Sequence, residues 1–477
     1  MAAFIGRKRE LGILEDQLKK RVASLVVLRG RRRIGKSRLV EEFGKNKEMY
    51  LFTGLPPSSG TSLASQIEEF LRQLRRQFHL PNVSFEDWGD VFWYLSEKLQ
   101  NRKVVLVFDE ISWMGSKDPD FLGKLKTAWD LYFKKNNELM LILCGSVSAW
   151  IEKNIISSTG FVGRLSCTLT LSELSLSESN HFFDSQKKNI SSYEKFKLLS
   201  VTGGVPRYLE ELRPAISAEQ NLKKICFSPE GFLFNEFNQI ISDIFLSRSQ
   251  LYNKALISLI ETQLDPSHLA TAIESKLNSV TTEYFNELVL AGFLARDYTW
   301  ELNTGKTSKL SQYRLKDNYT RFYLKYILPN KHQIESHAFQ EKNLSSLPGW
   351  KTIMGLQFEN LILNNRHKIW EKLEISANEV VWDNPFFQKK NTKYAGCQID
   401  YLIQTKHNTL YIIEIKFHLN KIQSTIIPEV QQKIDNLKKP KGFSVRPVLI
   451  HVNGVNPVVI EADYFAKIID FSELLEE

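Results

Sequence analysis

"VVLRGRRRIGKSRLVEEF", residues 26–43, passes from an apolar run through a glycine- and arginine-rich loop into helical spacing. Gly30 to Ser37 satisfy G-x-x-x-x-G-K-[ST] without a mismatch, in the strand–loop–helix setting that a phosphate loop requires. In such a loop backbone N–H groups wrap phosphates, and the helix N-terminus adds the positive end of its dipole. The expectation is therefore an ATP cradle of Gly30, Arg31, Arg32, Arg33, Ile34, Gly35, Lys36, Ser37 and Arg38. Lys36 would reach the β- and γ-phosphates, and the Ser37 hydroxyl would ligand Mg²⁺. Arg31 to Arg33 either add charge near the phosphates or are simply solvated.

Further apolar runs follow at 49–55, 103–111, 139–146 and 165–171, with helical spacing at 62–78, 88–100 and 121–134. Unbroken apolar strands alternating with helices predict a parallel sheet covered on both faces, a doubly wound α/β domain. Asp109, after "VVLVF", falls at the C-terminal end of a strand, where such sheets bind ligands, and would hold Mg²⁺. Glu110 is suited to orient or deprotonate an attacking water. Ser146 ends the next strand and would sense the γ-phosphate, unless it is only a turn serine. Arg164, in "FVGRL", would place a guanidinium on the γ-phosphate in cis or across the interface of a homo-oligomer, or else form a surface ion pair.

The whole chain has 477 residues, enough for roughly three domains. Its formal charge of +9 and pI of about 9.1 suit a polyanionic partner such as DNA, or a generally basic soluble protein. Cys144, Cys167, Cys226 and Cys397 lie far apart, which excludes a C-x-x-C metal site and argues against a disulfide framework. The sequence contains no signal-peptide core and no run long enough to span a bilayer, so the expectation is a cytoplasmic protein without membrane contact.

Beyond the first 173 residues the pattern turns helical over 174–248, interrupted by "TGGVPRYL". Residues 249–330 give three helical stretches and a β-like hairpin, the winged-helix arrangement, with 282–291 in the recognition-helix place. Lys306, Lys309 and Arg314 near the hairpin would contact phosphates or be solvated. A polar stretch, 331–350, separates this from a small α/β domain at 351–477. There Asp400, Glu414 and Lys416 form a D-x13-E-x-K pattern. Strand periodicity puts Glu414 and Lys416 on one face of an apolar strand, where charge is costly unless it works in a site. Asp400 and Glu414 would bind Mg²⁺ or Mn²⁺, with Glu359 adding an oxygen and Lys416 activating water at a phosphodiester. A structural ion pair is the other reading. Gln431 and Lys433 on the following helix would touch the same site.

With these residues assembled, the chain resembles the archaeal-type P-loop ATPases of the STAND- and AAA-like (ASCE) class that carry a winged helix and a C-terminal restriction-endonuclease-like PD-(D/E)xK domain. "FIGRKRELGIL", "GRRRIGKSRL", "VFDEI", "GFVGRL", "TGGVPRYL" and "YRLKDNYTRFYLKYI" carry the resemblance in order, nearly end to end. It implies an ATPase core (1–173), a helical lid (174–248), a winged helix (249–330), a linker (331–350) and a nuclease-like tail (351–477). It also implies that Gly6 and Arg7 rim the nucleotide pocket, and that Gly203, Gly204 and Pro206 form a lid turn facing the nucleotide. Glu359, Asp400, Glu414 and Lys416 would occupy nuclease-motif positions. Two functions fit: an ATP-regulated protein whose tail binds and cuts DNA with a divalent metal, or an ATP-gated switch or scaffold whose tail binds without cutting.

Overall fold

The computed structural model describes residues 4–476 apart from 147, 185–189, 246–248, 340–342, 391, 393 and 394. The chain forms two compact units, Met1–Ser172 and Glu173–Glu477.

The first unit is built on β1 (Ser24–Arg29), β2 (Met49–Thr53), β3 (Val104–Asp109), β4 (Leu139–Gly145) and β5 (Cys167–Thr170), in the order β2–β3–β4–β1–β5. Every pairing is parallel. The apolar runs are unbroken because both faces are buried, and the two-residue period sorts them. Leu25, Val27, Leu106, Phe108, Leu141 and Leu143 enter one core, under the helices Leu63–Phe78, Trp88–Lys98 and Phe121–Leu131. Val26, Leu28, Val105, Val107, Met140 and Ile142 enter the other, with Leu14, Leu39 and Phe43 from the helices Lys8–Leu18 and Lys36–Gly44. The four cysteines are unbridged, and no described helix is long and apolar enough to cross a membrane.

In the second unit the described part of 174–245 is helical, and the boundary expected at 248 lies outside the described residues. The helices Ser249–Ser258, Pro266–Ala272 and Ser279–Leu290 lead into an antiparallel hairpin, β6 (Leu294–Trp300) and β7 (Thr307–Leu315). A mixed sheet follows, built from β8 (Val380–Gln388), β9 (Cys397–Thr405), β10 (Thr409–Lys416), β11 (Ser444–His451) and β12 (Lys467–Asp470), in the order β12–β11–β10–β9–β8. β8, β9 and β10 pair antiparallel, whereas β10, β11 and β12 pair parallel.

These segments share one core running from Leu174 to Leu475. Phe196, on the helix Ser192–Thr202, packs against Phe358, Phe417 and Phe471 of the tail. The stretch 331–350, expected as a linker, sinks Ile334, Leu344, Leu347 and Trp350 into that core. Its polar residues cover the outside while a few apolar anchors hold it down, so it is not a break in packing.

The hairpin is likewise held. Trp300 stacks on Trp382 and meets Phe386 edge-on, and its indole N–H donates to Gln404 Oε1. Gln404 Nε2 donates to the Leu302 carbonyl, Trp382 Nε1 to that of Gly305 and Asn384 Nδ2 to that of Tyr298. Arg314, expected at a phosphate or in solvent, is instead buried, donating to Asp297 Oδ2 at 2.6 Å and to Asn360 Oδ1. Its charge is satisfied inside, as burial demands. Lys306 and Lys309 are exposed. Trp300→Ala should cost about 3–5 kcal/mol. Hydrogen exchange should then quicken in β6–β7 and β8 together, and quickening confined to β6–β7 would show the hairpin to be independent.

Candidate functional sites

β1 delivers the chain to Gly30, whose φ is +154°. A Cβ there would stand 2.7 Å from the Leu171 carbonyl oxygen, so only glycine lets the loop turn against the end of β5. Gly35, at φ 90°, caps the helix Lys36–Gly44. Lys36 is buried, and its ammonium donates to the Gly30 carbonyl at 2.9 Å and to that of Arg31 at 3.2 Å, lying across the loop where phosphate oxygens would compete for it. The Ile34 side chain is in the core, so this residue offers the loop only its backbone. Arg32 and Arg33 are half-buried, and Arg38 reaches Glu41 on its own helix at 3.3 Å.

Ser37 Oγ donates to Asp109 Oδ2 at 3.1 Å, bringing the end of β3 to the loop. Glu110 has a left-handed backbone, φ 50° and ψ 51°, the kind of strain that clusters at functional sites. Ser146, at the end of β4, donates to both Glu110 oxygens at 3.1 and 3.0 Å. Burial, seconded by the charge of Asp109, raises the Glu110 pKa above the ordinary carboxylate value, against the pull of Lys36 and Ser146. Arg7 is buried and braces the loop from beneath, donating to the carbonyls of Ile34 at 3.1 Å and Ser172 at 2.6 Å. Gly6 turns the chain into it at φ 73°.

Arg164 is held by a carboxylate. Its Nε and Nη2 bind Asp130 Oδ1 and Oδ2 at 2.9 and 2.8 Å, a fork matched to a carboxylate. Those bonds hold the Asp130 carboxyl well below the usual range. Pro206 begins the short helix Pro206–Leu209 of the second unit. Gly204 before it leaves no room for a side chain, because a Cβ would stand 2.1 Å from the Leu174 carbonyl oxygen.

In the tail, β9 and β10 carry Asp400 and Glu414 side by side. Glu414 is fully buried. Lys416 Nζ lies 2.8 Å from Glu414 Oε1 as an ion pair along the same strand. Lys433, on the helix Ile426–Asn436, reaches Glu414 Oε2 at 2.6 Å and Asp400 Oδ1 at 3.5 Å. The Ile415 N–H donates to Asp400 Oδ2 at 2.9 Å. Burial, with Glu414 beside it, raises the Asp400 pKa. Burial and then the charge of Asp400 push half-buried Glu359 up to about 8. Among the described residues no three His, Cys, Asp or Glu side chains converge as a metal-ligand group. Gln431 stands apart, bonded to Asp435 and Tyr464. Of the two helix residues that the sequence placed near this site, Lys433 is the one that reaches both carboxylates.

Residues 4–212 match the model of an ATPase domain found predominantly in Archaea. That match covers the N-terminal part of the chain and extends past "TGGVPRYL". An uncharacterised protein of Methanocaldococcus jannaschii is 24% identical over 363 residues, 75% of this chain and 76% of that protein. A second protein of that organism, described as ATP-binding, is 44% identical over 46 residues, 10% of this chain and 78% of its own length. A Walker-type ATPase of Pyrococcus abyssi superposes with a TM-score of 0.50 at 17% identity, covering 67% of this chain and 96% of its own. This last likeness is one of fold.

Because one ion pair occupies Arg164, Arg164→Ala and Asp130→Asn should change ATP turnover alike and little. A fall of about 10³-fold or more in Arg164→Ala alone would return the guanidinium to the γ-phosphate.

Proposed function

We propose that the chain is an ATPase whose nucleotide state governs how its second unit engages DNA. The matched domain supports ATP binding and hydrolysis. The observation that carries the residue-level reading is Ser37 on Asp109, with Glu110 held alongside by Ser146. The Ser37 hydroxyl and Asp109 carboxylate are hard oxygen donors 3.1 Å apart, a pair that fits Mg²⁺. Bound with ATP, that ion supplies neutralisation of phosphate charge. Lys36 exchanges the Gly30 and Arg31 carbonyls for phosphate oxygens. Glu110 orients the attacking water and accepts its proton, and its raised pKa makes it a stronger base than an exposed glutamate.

Support for DNA comes from the tail. Exposed Lys389 and Lys390 follow β8, and exposed Lys439 and Lys441 follow the helix Ile426–Asn436. Gln388 ties the two segments together, its Nε2 donating to the Asn436 carbonyl at 3.1 Å and its Oε1 accepting from the Lys438 N–H at 3.0 Å. This basic lip adjoins the Asp400 end of β9 and suits a phosphate backbone. The Asp400–Glu414 pair as it stands does not fit a divalent ion, because Lys433 fills the cation's place, and no cleavage step is derived through one.

A second reading, a STAND-type switch whose winged-helix-like segment meets protein, is favoured by the helix Ser279–Leu290. It has Glu283 and Glu287 but no Lys or Arg, a poor match to a DNA groove.

Lys36→Ala should abolish binding of a fluorescent ATP analogue, whereas Glu110→Gln should keep binding and lower kcat by about 10²–10⁴-fold. Since the ionised Glu110 is the active form and its pKa is raised, kcat should rise with pH through a midpoint above the ordinary carboxylate value. Ser146→Ala removes a bond that lowers this pKa and should move the midpoint higher still. Replacing Lys389, Lys390, Lys439 and Lys441 with Glu should weaken duplex binding and flatten its salt dependence by roughly one unit of slope per lost phosphate contact. Unchanged binding would remove the lip from the account.

A further inference from the structure

We infer that Lys433 is the built-in cation of the tail site and decides whether Asp400 and Glu414 can accept a divalent metal ion. Among the described residues these carboxylates gather no third metal-type ligand, yet Glu414 is wholly buried on an apolar strand. Two ammonium groups offset the charges. Lys416 sits 2.8 Å from Glu414 Oε1, while Lys433 spans Glu414 Oε2 at 2.6 Å and Asp400 Oδ1 at 3.5 Å. Asp400 Oδ2 is taken by the Ile415 N–H at 2.9 Å. Two carboxylates and two lysines thus balance without metal, and a dication added to them would meet an ammonium already bridging both ligands.

The two lysines differ in what they leave behind. Lys416 lies on the same strand as Glu414 and stays against its Oε1 at 2.8 Å, leaving Oε2 to the helix. Lys433 holds the two oxygens that face each other across β9 and β10. It comes from a separate helix, on a flexible four-carbon stem, and remains partly exposed at 27%. When Lys433 swings away, Glu414 Oε2 and Asp400 Oδ1 are left facing each other as hard oxygen ligands, a pair suited to Mg²⁺ or Mn²⁺. A phosphodiester drawn in by the basic lip offers Lys433 another anion, so nucleic acid would open the site to metal. Only this last step rests on the DNA reading.

The test is Mn²⁺ titration of nucleotide-free full-length protein, with free Mn²⁺ followed by electron paramagnetic resonance. Lys433→Gln should bind one Mn²⁺ at least about tenfold more tightly than wild type, and Lys433→Gln/Asp400→Asn should lose that gain. Lys433→Arg, which keeps the charge, should bind as weakly as wild type and guards against a folding defect in the glutamine variant. Equal affinities in wild type and Lys433→Gln, or a gain that survives Asp400→Asn, would overturn the inference. Adding a short phosphorothioate duplex should raise wild-type Mn²⁺ affinity towards that of Lys433→Gln and leave Lys433→Gln unchanged. If the duplex binds but wild-type affinity stays low, gating by nucleic acid is wrong. If the duplex does not bind, the DNA reading fails and the Mn²⁺ comparison still judges Lys433.

Discussion

The close approach of Gly30 to the Leu171 carbonyl is the constraint on which the first site rests. Burial on both faces fixes β1 between β4 and β5, and the loop leaving it must turn where no side chain fits. Arg7 then pins the loop by its Ile34 carbonyl, and Lys36 crosses it to the Gly30 carbonyl. With the loop so held, Ser37 meets Asp109, and the insertion of β4 between β1 and β3 brings Ser146 to Glu110. Packing of an apolar sheet thereby sets the positions of the polar groups at its C-terminal edge.

A different logic governs the tail. There the site lies on adjacent strands inside an apolar sheet, and charge balance matters more than loop shape. Glu414 is tolerated without solvent because lysines from β10 and from the helix Ile426–Asn436 reach it. In the neighbouring polar network buried Arg314 meets the carboxylate of Asp297, whereas burial pulls Arg321 down to about 9 among neutral acceptors. Arg321 bonds to Gln357 and to the carbonyls of Ile260 and Leu315. These contacts join the segment after the hairpin to the helix bearing Glu359.

How much was legible in the sequence follows from where each cause lies. The strands of the first unit were readable because burial on both faces writes an unbroken apolar run, and Asp109 and Glu110 because they end one. Asp400, Glu414 and Lys416 stood out as charges in apolar strands. For Arg164 the sequence left a γ-phosphate contact and a surface ion pair open, and it could not name the partner, since Asp130 lies 34 residues away on a helix whose charges look solvated. Arg314 was misread for a like reason, its partners coming from β6 and the helix Trp350–Asn364. The stretch 331–350 looked like a linker because average polarity does not register four apolar anchors. Clasping of the hairpin by Trp382 and Gln404 depends on residues far along the chain, which local patterns cannot pair.

Coupling between nucleotide state and DNA is the central claim, and one titration tests it most directly. Affinity of the full-length Glu110→Gln protein for duplex DNA would be measured with ATP, with ADP and without nucleotide, at one salt concentration. The account expects binding that changes severalfold between the ATP and ADP states. The same affinity in all three conditions, or no binding by a protein that binds ATP, would contradict it.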